Sequence, residues 1–178
     1  AVNENLSGDI SYGLAGGDQT ADSRAGRAWI VHDDTHLLIA ADNPVSQAQP
    51  IRPGDVWGLD DAIEIAICRV TPGIRSPILV LRGFPSGHFE SSQEANAPPF
   101  DARRAAEGVQ YRARMDTPGI WTAEWRVPFA SLGIDPAREK HLAFNITVRK
   151  TAANQWRLWR GTGTSTWEVF EAGFIELE

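Results

Sequence analysis

Two tryptophans stand apart from the rest of this sequence. Trp57 and Trp167 fall outside its alternating runs, in polar loops that read Gly54-Asp55-Val56-Trp57-Gly58 and Gly161 to Trp167. Loops held by a rigid scaffold are where binding residues concentrate. An indole exposed there offers a flat apolar surface for the C–H face of a pyranose, while the edge hydroxyls of the sugar reach for carboxylate, amide and guanidinium groups. The same two residues fit partial burial equally well. Of the seven tryptophans, Trp29, Trp121, Trp125 and Trp156 lie on alternating strand-like runs and are expected in the core. Trp159 has the opposite parity to Trp156 and Leu158, so an exposed position is expected for it.

Other chemistry is thinly supported. Carboxylates gather at Asp33-Asp34, Asp42 and Asp60-Asp61, where aspartate commonly stabilises a turn by accepting from its own backbone. Glu64 and Glu124 could by type form a glycosidase acid/base pair, but strand alternation already explains both. No nucleophile elbow is present, and Gly161-Thr162-Gly163 lacks the later glycine and the helix that a phosphate loop needs. The four histidines, His32, His36, His88 and His141, show no metal-binding spacing. Cys68 is the sole cysteine, which excludes an intrachain disulfide and a cysteine zinc cluster. The expectation is a protein without catalytic function.

These residues must be positioned by short strands. Arg27 to His32 and His36 to Asp42 alternate around the turn Asp33-Asp34-Thr35 and read as a hairpin. Residues 43 to 59 carry three prolines and form a long loop. Asp61 to Val70 places Ile63, Ile65 and Ile67 on one face and Glu64, Ala66 and Cys68 on the other. Further strands are expected at Ser76 to Gly83, His88 to Ser91, Val109 to Met115, Trp121 to Val127, His141 to Lys150, Gln155 to Arg160 and Phe170 to Leu177. Pro98 and Pro99 bar a strand there, a helical turn is expected at Ala102 to Glu107, and another at Phe129 to Leu132 closed by Gly133. Along His141 to Lys150, Leu142, Phe144, Ile146 and Val148 point inward and Asn145 and Thr147 outward.

The chain of 178 residues is the size of one domain, and 42 % hydrophobic residues suffice for a core. Sixteen glycines and eleven prolines are spread along it, which favours many short elements. The pattern implies an all-β, antiparallel β-sandwich, immunoglobulin-like or jelly-roll-like, of about 8–10 short strands, spanning residues 1–178 with a loop-rich segment over 1–26. A net charge of −6 without a basic cluster argues against nucleic acid. Apolar runs such as Ile78 to Leu81 are far shorter than the ~20 residues of a membrane-spanning helix. With Ala1 first, and neither an initiator Met nor a signal-peptide pattern, the sequence reads as a module of a longer protein.

Several segments in order resemble family 9 carbohydrate-binding modules: Trp29 to Pro44, Trp57-Gly58-Leu59-Asp60-Asp61-Ala62-Ile63-Glu64-Ile65, Trp121 to Phe129 with Leu132-Gly133, Leu142-Ala143-Phe144-Asn145-Ile146, and Trp167 to Leu177. The resemblance covers about residues 27 to 178; the early tryptophan usual in the family is missing. It implies a sandwich that grips the end of a mono-, oligo- or polysaccharide chain between two tryptophans, matched here by Trp57 and Trp167. It also implies that Glu64 accepts from sugar hydroxyls, with Asn145 as an amide partner and Arg82 as the binding arginine. Thr164, Ser165 and Thr166 stand where the family commonly has an asparagine. Structural calcium is implied too, with Asp42, Asp60 and Asp61 as ligands. The expected setting is secreted, periplasmic or on the cell surface, tethered to a catalytic domain.

Two rivals remain. A DOMON-type electron-transfer sandwich binds haem through Met and His, which would require Met115 with His32, His88 or His141 opposite. Met115 shares parity with Tyr111 and Ala113 and suits core filling as well. The other rival is a protein-interaction module.

Overall fold

The computed structural model describes residues 26–47, 50–159 and 165–177 in full and residues 7–10 as backbone. Two sheets form the body. The first is ordered β1 (Ser7–Ile10), β2 (Gly26–His32), β3 (His36–Pro44), β8 (Ile120–Pro128) and β7 (Gln110–Arg114). The second is ordered β10 (Gln155–Leu158), β9 (His141–Lys150), β4 (Ala62–Arg69), β5 (Leu79–Gly83) and β6 (Phe89–Ser92), and β11 (Phe174–Glu176) also pairs with β9. The strand pairings are antiparallel throughout. The all-β sandwich read from the alternation is the architecture found.

Alternation places the core. Ile30, Leu37, Ile39, Trp121, Trp125 and Val127 of the first sheet face Ile63, Ile65, Ile67, Leu81, Phe144, Ile146 and Val148 of the second. The two outer faces differ. On the first sheet the intervening residues meet solvent, as β8 shows by alternating buried and accessible positions. On the second sheet they are covered: β4 is buried on both faces for its first seven residues, because loops bring Val169 and Trp167 over Ala66, Cys68, Val80 and Ala143. A sheet covered on both faces loses the period-2 signal.

The helical elements are short. Pro99 opens α1 (Pro99–Ala105) at the first helical position, where its missing N–H costs nothing. α2 (Phe129–Leu132) ends at Gly133, whose φ of 66° is the left-handed cap a glycine supplies without strain. The segment expected as one strand from Phe170 to Leu177 divides into α3 (Val169–Ala172) and β11. Gly173 separates them, lying close under the Trp159 ring. Trp159, expected to be exposed, instead packs on Phe144 at 6.0 Å.

Trp29 and Trp156, expected in the core, lie outside it. Trp29 is 38 % exposed on the outer face of the first sheet, and Trp156 lies on the outer face of the second, level with Arg149 and Ala62. Parity groups residues by face but does not say which face is inside. Met115, read as core filling, is 50 % exposed beyond the end of β7. His32 is level with Leu37 and Val127, at the other end of the same sheet, so no haem-binding pair forms with it. His88 stacks on Phe84 at 5.8 Å. Glu64 and Glu124 stand on the outer faces of opposite sheets, so they cannot act on one substrate.

The sheets approach closely at Gly83, where an added Cβ would lie 2.4 Å from the Tyr111 ring and 2.5 Å from the Trp125 ring. Tyr111 is anchored by donating its hydroxyl to the Phe84 carbonyl at 3.0 Å. Burial pushes its phenol pKa far up, so it stays a donor. Rigid aromatic rings cannot yield as a flexible side chain would. Gly83→Ala is therefore expected to destabilise the fold by about 1–3 kcal/mol through overpacking, read as a lower urea midpoint; an unchanged midpoint would contradict the close approach.

Candidate functional site

One cross-strand row on the covered face of the second sheet holds three charged residues and a threonine. Glu90 on β6, Arg82 on β5, Glu64 on β4, Thr147 on β9 and Leu158 on β10 are successive register partners. Glu64 is 2 % and Arg82 3 % exposed. Charges buried this deeply persist only when paired and hydrogen-bonded. Arg82 meets that condition at three nitrogens: Nε donates to Glu64 Oε2 at 2.6 Å, Nη1 reaches Glu90 and Glu94 at 3.4 and 3.3 Å, and Nη2 donates to Glu94 Oε2 at 2.5 Å.

The flat face of the guanidinium is used as well. Its carbon lies 3.7 Å from the centroid of the Trp57 ring, a cation–π contact in a largely desolvated setting. Trp57 reaches this place from a tight turn in which Leu59 N–H and Asp60 N–H donate to the Val56 carbonyl and Val56 N–H donates to Asp60 Oδ2. Trp156 meets Trp57 edge-on at 5.3 Å, and the Arg149 guanidinium covers Trp156 at 5.1 Å. A third indole, Trp167, is carried by the segment before α3, where its backbone N–H donates to the Ser165 hydroxyl at 2.9 Å. Thr166 donates to the Thr147 hydroxyl at 2.8 Å and so ties that segment to β9.

Between these parts lies a cavity of about 180 Å³, bounded by the three indoles, Glu64, Glu94, Thr147, Leu158, Ser165 and Thr166. It is smaller than the 300–1,000 Å³ usual for drug-sized ligands. It suits one small ring. Burial pushes the Glu64 carboxyl pKa above its ordinary value of 4.5, against the opposing pull of Arg82 and the Thr166 hydroxyl. Burial would also lower the Arg82 pKa, but its bonds to Glu94 and Glu64 outweigh that and hold the guanidinium charged.

Of the residues expected to bind, the structure gathers Trp57, Glu64 and Trp167 around the cavity. Arg82 lies behind Trp57 with its donors engaged by carboxylates, where it positions the site. Asn145 shares the face two residues from Thr147 but is fully buried and does not line the cavity. Its Oδ1 accepts from Ile146 N–H at 2.9 Å, and its Nδ2 has no partner among the described residues. Thr164 lies outside the described residues. Trp156, Glu94, Thr147 and Leu158 were not foreseen. The shared parity of Trp156 and Leu158 was the available signal, and it pointed to a common face without saying that loops would wall that face in.

The three aspartates proposed to hold calcium have separate partners. Asp42 accepts from the Thr122 hydroxyl at 2.6 Å on the outer face of the first sheet. Asp60 closes the Trp57 turn, and its carboxylate fills the space that a Cβ at Gly54 would need. Asp61 is buried, with Oδ1 accepting from the Thr151 N–H and hydroxyl at 2.8 Å each and Oδ2 lacking a hydrogen-bond partner among the described residues. Among those residues, no three carboxylate, imidazole or thiol side chains group as a metal cage.

No protein-family model and no curated protein matches the sequence. Solved structures do match in three dimensions. A family 9 carbohydrate-binding module from Caldicellulosiruptor kristjanssonii in complex with glucose superposes with a TM-score of 0.64 at 15 % identity, covering 94 % of this chain and 84 % of that one. A module of the same family and organism in complex with cellotriose gives 0.62 at 14 % identity, covering 94 % and 82 %. A protein from Bacteroides uniformis gives 0.52 at 11 %, covering 86 % and 78 %. The chain thus has the fold of family 9 carbohydrate-binding modules.

The raised Glu64 pKa has a consequence for stability. A carboxyl whose folded pKa exceeds its unfolded value favours folding below the unfolded value, and that contribution is lost as pH rises through the folded one. The stability of the wild type relative to Glu64→Gln is therefore expected to fall as pH rises from below 4.5 toward neutrality. Urea melts of both proteins across that range read the difference, and a difference that grows with pH would contradict the assignment.

Proposed function

We propose that this domain is a non-catalytic carbohydrate-binding module that holds a terminal sugar unit in the three-tryptophan cavity. The observation that carries the reading is the convergence of Trp57, Trp156 and Trp167 on a cavity the size of one ring, with carboxylates and hydroxyls at its edge. Sugar recognition needs both kinds of group at once. The apolar C–H face loses water against an indole at about 25 cal/mol per Å², and the ring hydroxyls must find partners as they leave water. Trp57 and Trp167 are assigned to the two faces of the sugar, Trp156 to its side, and Glu94, Ser165 and Thr166 to its hydroxyls. Glu64, already bonded to Arg82, offers its remaining lone pairs as acceptors.

The fold supports this reading, and the Caldicellulosiruptor modules of the same fold are in complex with glucose and cellotriose. Hydrolysis is not favoured, because a glycosidase needs one carboxyl free to deliver a proton and a second to attack or activate water. Here Glu64 and Glu94 are both engaged by one guanidinium. Such a module would hold a larger secreted, periplasmic or surface-bound protein, with its catalytic domain, on a polysaccharide.

Calorimetric titration of glucose and cellotriose tests the assignment. Trp57→Ala and Trp167→Ala are each expected to weaken binding by about tenfold or more, equivalent to about 1.4 kcal/mol. Ser165→Ala is expected to cost less. Thermal melts taken alongside separate lost binding from lost folding, since truncating a buried aromatic costs about 3–5 kcal/mol of stability. Binding retained in both tryptophan variants would refute the site.

Calcium belongs to the same proposal. Asp61 Oδ2 and Asn43 Oδ1 are buried oxygens without hydrogen-bond partners among the described residues, and hard oxygen donors suit calcium. Both belong to the end of the sandwich where Lys150 Nζ donates to the Pro44 carbonyl at 2.9 Å and Thr151 bonds Asp61. A bound ion would stabilise the native state by mass action, so chelation is expected to lower the melting temperature. Identical melts with and without chelator would remove calcium from the account.

A further inference from the structure

The outer face of the first sheet carries a second groove, of about 460 Å³, on the side of the molecule away from the cavity described above. Its residues fall in two cross-strand rows. Trp29, Ala40, Glu124 and Arg112 are register partners across β2, β3, β8 and β7, and Val31, Leu38, Arg126 and Gln110 form the adjacent row. The small Ala40 beside the bulky Trp29 makes the step. Trp29 is 38 % exposed at one side of the groove, and adjacent strands ~4.8 Å apart place Arg112 ~14 Å from Trp29 across the sheet. The trough is longer than one sugar ring.

Its charge is opposite to that of the whole molecule. The chain carries a net −6, yet beside the exposed indole stand two guanidinium groups, Arg112 and Arg126, and one carboxylate, Glu124. Glu124 is matched by Arg114 at 3.8 Å. Arg126 Nη2 lies 3.1 Å from His36 Nδ1, and neither Arg126 nor Arg112 has a carboxylate ion-pair partner among the described residues. Arginine presents a planar fork that pairs with a carboxylate through two hydrogen bonds. A twofold contact with a second copy would set the same cationic patch against itself, so self-association is disfavoured.

We propose that this face binds an acidic glycan, a chain whose uronate carboxylates pair with Arg112 and Arg126 while one ring stacks on Trp29. The site is independent of the Trp57–Trp167 cavity and would let one domain hold a neutral chain end on one face and an acidic chain on the other. Neutral chains offer Arg112 and Arg126 no charge to pair with.

The test is calorimetric titration with tetramers of galacturonate and of glucuronate, and with cellotetraose as the neutral counterpart. The expected result is saturable binding of a uronate tetramer that weakens as salt is raised. Trp29→Ala and the double variant Arg112→Gln, Arg126→Gln should each reduce it about tenfold, while Trp167→Ala leaves it unchanged. Because Trp29 and both arginines are exposed, thermal melts should confirm that all variants fold; should Trp29→Ala melt early, the arginine pair alone decides. The proposal is overturned if neither uronate tetramer binds, if binding is lost in Trp167→Ala and kept in the arginine variant, if cellotetraose binds this face as tightly, or if sedimentation shows a dimer that Trp29→Ala abolishes. A loss of glucose binding in Trp57→Ala with uronate binding intact separates this site from the other.

Discussion

Arg82 is the residue on which the cavity depends. Its side chain is withdrawn from water, and a guanidinium in that position is tolerable only if each donor and its charge are answered. Glu64 answers from the neighbouring strand, Glu90 and Glu94 answer from β6 and the turn after it, and the face of the ion is covered by Trp57. One group thereby fixes a strand, a loop and an indole in a single arrangement. Removing one partner of a buried pair typically costs about 3–5 kcal/mol, because the other charge is left unpaired. The cavity wall is built on that constraint.

The two sheets share one core but treat their outer surfaces in opposite ways. The second sheet is covered by the Trp57 loop, the segment leading to α3 and the turn after β6, and the cover leaves a cavity where the polar row lies. The first sheet is left open, so its outward residues keep an unbroken alternation, and Trp29 stands among charged groups. Between the sheets, Tyr111 and Trp125 pack directly on the Gly83 backbone, and Trp121 is buried in the same core.

The aspartates illustrate how one residue type serves unlike ends. Asp60 and Asp33 shape turns through backbone N–H groups, and for Asp33 these bonds, led by that from Thr35, hold the carboxyl down at about 2. Asp42 pairs with a threonine across two strands. Among the described aspartates, Asp61 alone is buried with an oxygen that has no hydrogen-bond partner there. Position in the chain does not distinguish them; the partners reached through the fold do.

Most of the strands and the alternation along them were legible in the sequence, because a half-exposed antiparallel strand must alternate and Ile63, Ile65, Ile67 and Trp121, Ala123, Trp125, Val127 do so without interruption. The sequence also marked Trp57 and Trp167, since an indole in a polar glycine- or threonine-rich loop has no alternating neighbours to bury it. Tertiary structure decided the rest. Trp156 and Trp29 share the parity of ordinary strand residues, and only the placement of loops over one sheet and not the other makes the first a cavity wall and the second an exposed platform. Arg82 likewise lies in a run that reads as plain strand, and its role arises from three carboxylates and an indole brought to it from other parts of the chain. Parity is a property of neighbouring residues, whereas a charge is answered by whatever the fold places beside it.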